Sequence, residues 1–152
     1  MGTVKSKLIN TLVKIFVFCG LSFFLIIPSS FADDVTFVIE QLPANHPQNS
    51  KVFLAGTPNG WRADQADYQF KFNNANQLSL TLSNIQPNDK IQFKITRGSW
   101  AAQELDAQRY TVANRTFTYN GQQQIVKLRV ENWEDLVGSL GKPPTATGDI
   151  RI

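Results

Sequence analysis

Cysteine, histidine and methionine are nearly missing from this chain. The one cysteine, Cys19, lies in an apolar leader, so the chain after residue 32 can form no disulfide and carries no thiol chemistry. The one histidine, His46, leaves no zinc-ligand cluster. No Gly-x-Ser-x-Gly nucleophile elbow and no Gly-rich phosphate loop occurs. No internal repeat and no sustained helical period occurs either. The longest apolar stretch, residues 15–27, falls short of the ~20 residues that span a bilayer.

An excess of one charge is also missing. Of the 15 Lys and Arg, Lys5, Lys7 and Lys14 precede residue 33, and none of the 12 Asp and Glu does. The remaining chain is neutral and gives no electrostatic reason for a nucleic-acid or anionic-membrane partner. The first 32 residues have the layout of a signal peptide: basic start, apolar core, then the small-residue site Ser30-Phe31-Ala32. Cleavage there predicts a secreted or periplasmic protein with no membrane attachment.

What is present is alternation. Short apolar runs at 35–39, 51–55, 68–72, 78–82, 90–95, 116–119 and 124–130 are separated by turn clusters. In Tyr68-Gln69-Phe70-Lys71-Phe72 the aromatics are expected on one face. The pattern predicts an all-β, immunoglobulin-like β-sandwich of about seven antiparallel strands over residues 33–135. Residues 136–152, with Gly138, Gly141 and Lys142-Pro143-Pro144, have the composition of a linker.

The stretch 97–115 is long for a loop in a compact domain, and such loops are usually functional. It contains Glu104 and Asp106, a carboxylate pair that could in principle cleave a glycoside. Their expected state is that of surface acids in a solvated loop. Trp61 follows Asn59-Gly60 and Trp100 follows Gly98-Ser99. An indole held on a loop by a tight turn can stack on a sugar ring or plug the end of the sandwich. Lys94 ends the strand leading toward Trp100 and can share its surface. Trp133 is expected to cap the core.

At these residues the chain resembles the starch- and glycogen-binding modules, among them the starch-binding domains of amylases and the glycogen-binding module of the AMP-activated kinase β subunit. The likeness is carried by residues 52–61, ending in Thr57-Pro58-Asn59-Gly60-Trp61. It continues in residues 91–95 with Gly98-Ser99-Trp100, and in Asn114-Arg115. The resemblance implies an α-glucan ligand, Trp61 and Trp100 stacked on glucose rings, and Lys94 and Asn114 bonding hydroxyls. It implies no catalysis and no cofactor. The stretch between Trp100 and Asn114 is longer than in the kinase module. The chain looks closest to a bacterial subgroup in which such a module precedes an α/β hydrolase, which makes a hydrolase a candidate partner. A protein-interaction domain without sugar binding is the competing reading.

Overall fold

The computed structural model describes residues 34–143. The signal-peptide reading of residues 1–32, and the tail beyond 143, lie outside the described residues. The strands are β1 (Val35–Gln41), β2 (Phe53–Gly56), β3 (Lys71–Phe72), β4 (Leu78–Leu82), β5 (Lys90–Thr96), β6 (Glu104–Leu105), β7 (Arg115–Thr118), β8 (Gln124–Arg129) and β9 (Asn132–Trp133). A single turn of helix, α1 (Glu134–Val137), follows. One sheet has the order β3-β4-β1-β8, a second β2-β5-β7, and β6 pairs with β9.

The period-two pattern determines which side chains meet. Val35, Phe37 and Ile39 of β1 point inward with Leu80 and Leu82 of β4 and Leu128 of β8. They pack on Leu54, Ile91, Phe93 and Ile95 from the second sheet. Phe37 bridges the layers, edge-on to Phe93 at 5.1 Å and to Phe117 at 5.8 Å. Truncating the fully buried Phe37 or Phe93 to alanine would cost about 3–5 kcal/mol. The described chain is thus an all-β sandwich.

Two expectations need correcting. The strands are not all antiparallel: β1 pairs antiparallel with β4 but parallel with β8. A parallel partner cannot come from a tight hairpin, and β8 reaches β1 only after the chain has passed through the other sheet. The aromatics of 68–72 do not share a face. Tyr68 ends a 3-10 turn (Ala66–Tyr68) and donates its hydroxyl to the Pro58 carbonyl at 2.8 Å. Phe70 is buried, and its N–H bonds to Val52 beside β2. Phe72, paired with Leu78 in the other sheet, is 69% exposed. The chain crosses between sheets at this corner, so one ring plugs the core and the other lies past its edge.

Candidate functional site

The strand β2 ends at Gly56, where a Cβ would stand 2.2 Å from the Gln92 carbonyl of the neighbouring strand. Only glycine fits so close to β5. The chain then turns through Thr57–Asn59, with Gly60 and Trp61 both left-handed at φ 62 and 63. Asn59 fixes this turn. Its Oδ1 accepts from the Gly56 N–H at 2.9 Å, and its Nδ2 donates to the carbonyls of Leu54 and Arg62, each at 2.9 Å. The Trp61 N–H closes the loop on the Gly56 carbonyl at 2.9 Å. A left-handed tryptophan is sterically costly, and such strain concentrates at functional sites.

After β5, Gly98 turns at φ 92 and Trp100 opens a 3-10 turn, Trp100–Ala102. Arg97 N–H and Ala102 N–H bond to the carbonyls of Ala102 and Ser99 at 3.0 and 3.1 Å. The Thr96 hydroxyl donates to the Ala63 carbonyl, joining this loop to the first. The two indoles stand beside each other, with ring centroids 6.3 Å apart and planes tilted by 36°. Trp100 is 42% exposed and Trp61 is half-buried.

Lys94 lies on the outer side of β5, opposite Ala55. Its ammonium donates to the Gln103 Oε1 at 3.2 Å, immediately after the Trp100 turn. Gln103 Nε2 in turn donates to Glu134 at 2.7 Å. Lys94 and Asn114 line one groove of about 580 Å³ with Thr111 and Lys142. The structure therefore brings together the two tryptophans, and separately Lys94 with Asn114, with Gln103 linking the two regions. Nothing in the sequence singled out Gln103, which is placed by its bonds to Lys94 and Glu134, or Lys142, which folding brings to the groove.

The carboxylates differ from the solvated pair expected. Glu104 is buried and receives the Arg115 guanidinium through Nε at 3.0 Å to both oxygens and Nη2 at 2.6 Å. It also accepts from the Ile95 N–H at 2.9 Å. Burial disfavours the charged guanidinium, but the Glu104 hydrogen bonds and charge outweigh it and hold the Arg115 pKa above its ordinary value. Asp106 caps its own turn, accepting from the Gln108 and Tyr110 N–H groups at 3.0 and 2.8 Å. Glu104 is thus the acceptor of a buried ion pair, and Asp106 is a turn former. Among the described residues, no three His, Cys, Asp or Glu side chains stand together as a metal site.

Trp133 is fully buried in the core. Its indole N–H donates to His46 Nδ1 at 3.1 Å, and the Arg97 guanidinium lies 5.6 Å from its ring centre. Arg97 pairs with Asp135 and donates to the Ser50 hydroxyl at 3.2 Å. Burial, then the Arg97 charge, lower the His46 pKa, against a hydrogen bond to the Ser50 backbone that raises it.

No family model matches the chain. It is 36% identical over 104 residues, 68% of its length, to an alpha-amylase from Niallia circulans. It spans 8% of the length of that relative. Among solved structures, it is similar to the CBMd module (family CBM41) of Amy13K from Eubacterium rectale. The TM-score is 0.39 and the identity 16%, covering 66% of this chain and 92% of that one.

Proposed function

We propose that the chain is an exported, non-catalytic carbohydrate-binding module that takes an α-glucan by stacking sugar rings on Trp61 and Trp100. The observation that carries the reading is the tilted pair of indoles, 6.3 Å apart, one of them 42% exposed. Two such faces make a shallow cleft that suits the curved, C–H-rich side of a glucose chain. Lys94, tied through Gln103 to the Trp100 turn, offers hydroxyl contacts, with Asn114 lining the same groove. The likeness to a segment of an alpha-amylase supports the same ligand class.

Titration with maltooligosaccharides, read by tryptophan fluorescence, tests the reading. Saturable quenching that Trp61→Ala and Trp100→Ala each weaken several-fold is the expected result, since an aromatic contact is worth about 0.5–1.5 kcal/mol beyond its area. Unchanged spectra at millimolar sugar would overturn it. A protein-interaction domain serving a partner hydrolase is the second reading. It is favoured by the exposed Phe72 on the edge strand β3, and an unmoved spectrum together with a captured enzyme would select it.

A further inference from the structure

Composition reads the segment after α1 as a linker, yet residues 138–143 run against the loop that follows β6. The Leu140 N–H donates to the Arg109 carbonyl at 2.9 Å. The Gly141 carbonyl accepts from both the backbone N–H and the hydroxyl of Thr111, at 2.8 and 3.1 Å. Arg109 reaches the Val137 carbonyl at 3.3 Å. Two of these bonds join backbone to backbone, and they set the next residues, Lys142 and Pro143, as one wall of the groove whose other wall is Lys94 and Asn114. Thr111, Val112 and Ala113 complete it. The groove mixes apolar walls with polar groups, has no carboxylate among its lining residues, and includes Lys94, which is tied through Gln103 to the Trp100 turn.

We propose that this groove is an extension of the sugar site, in which residues 142–143 form a wall that holds the glucose units of an α-glucan chain running on past the two indoles. The inference rests on the reading of the indoles as a glucan platform and assigns a further role to the segment after α1. Hydroxyl-rich units fit a groove lined by two ammonium groups, an amide and a hydroxyl: the ammonium and amide groups can donate to sugar oxygens, and the Thr111 hydroxyl, whose proton goes to Gly141, can accept. A chain short enough to be covered by the indoles alone gains nothing from the wall. A longer chain gains the extra contacts. The segment thereby sets a preference for chain length.

The test compares maltotriose with maltoheptaose on the full chain by isothermal titration calorimetry. Two variants change the wall. Lys142→Ala removes an exposed side chain from it. Gly141→Val adds no side chain to the groove, but it strains a backbone at φ 81 and so weakens the Thr111 bonds that hold the segment in place. The parent is expected to bind maltoheptaose at least fivefold more tightly than maltotriose. Both variants are expected to lose most of that ratio, with Gly141→Val holding maltotriose within twofold of the parent. Equal heptaose-to-triose ratios in parent and variants, with Trp100→Ala still weakening both sugars, would overturn the wall and leave the indole platform standing. Binding of neither sugar by the parent would overturn both. Unchanged far-UV circular dichroism and melting temperature in the variants establish that the comparison is between folded proteins.

Discussion

The Thr96 hydroxyl donates to the Ala63 carbonyl at 2.7 Å, and this buried bond ties the loop that carries Trp100 to the loop that carries Trp61. Each loop is closed internally by its own hydrogen bonds, but the spacing of the two rings depends on what joins the loops. Thr96→Val keeps the volume and removes the donor. The expected loss of stability is about 1 kcal/mol. The expected effect on maltooligosaccharide affinity is larger than that of Thr36→Val, which removes a similar hydroxyl contact, with Thr81, from the other sheet. Equal affinities for the two variants would show that the rings are spaced by something else.

Trp61 has a left-handed backbone, which costs a residue with a Cβ about 1–2 kcal/mol and costs glycine almost nothing. Trp61→Gly is therefore expected to melt higher than Trp61→Ala, by about 1 kcal/mol in stability, while both lose the ring. Chemical denaturation of the two variants side by side checks this. An alanine variant as stable as the glycine one would refute the strained turn.

Glu104 is the charged acceptor in a buried pair with Arg115. Removing one partner of such a pair is costlier than the pair is worth, because the other charge remains in a dry site. Glu104→Gln keeps the shape and should cost about 3 kcal/mol, less whatever relief Arg115 finds through its 30% exposure. A thermal melt measures it. Sugar binding by the folded fraction is expected to be unchanged, which separates a structural carboxylate from a reacting one.

His46 gives the domain a pH dependence of known sign. Its folded-state pKa lies below the ordinary 6.5, through burial and the nearby Arg97. The unfolded chain therefore takes up the proton first as pH falls. The neutral imidazole's contribution is complete above 6.5 and is lost as pH falls from there to the depressed folded value. Protonation also turns Nδ1 from the acceptor of the Trp133 indole into a donor. His46→Asn, which can still offer an acceptor, is expected to flatten the stability profile below pH 6.5. Urea denaturation at intervals across that range would show it, and an unaltered slope would contradict it.

Alternation made β1, β4 and β5 readable, because one residue in two faces a single core. The turns before Trp61 and Trp100 were readable from their glycines and asparagine. What could not be read was whatever depends on pairing between distant segments. Tyr68-Gln69-Phe70-Lys71-Phe72 has a strand's pattern, but it changes sheets midway, and only the geometry of the corner decides where each ring goes. Glu104 looks like any loop acid until Arg115, eleven residues on, is folded against it. The segment around Gly141 has a linker's composition, and its order comes from Thr111. Trp133 was legible as a core residue, since an indole at the end of the last long strand has little else to pack on.

The parallel ladder between β1 and β8, six register pairs from Val35 to Gln41, places the start of the first strand and the end of the last long one at opposite poles of the sandwich. Tension along the chain would then load these rungs together, in shear, instead of peeling them singly. Force from the downstream side would meet the Thr111–Gly141 bonds first, then the two-residue pairing of β6 with β9, and only afterwards the shear-loaded ladder. In that sequence the tail would yield before the sandwich does, and a tethered module would shed its grip on long polymers while keeping its fold.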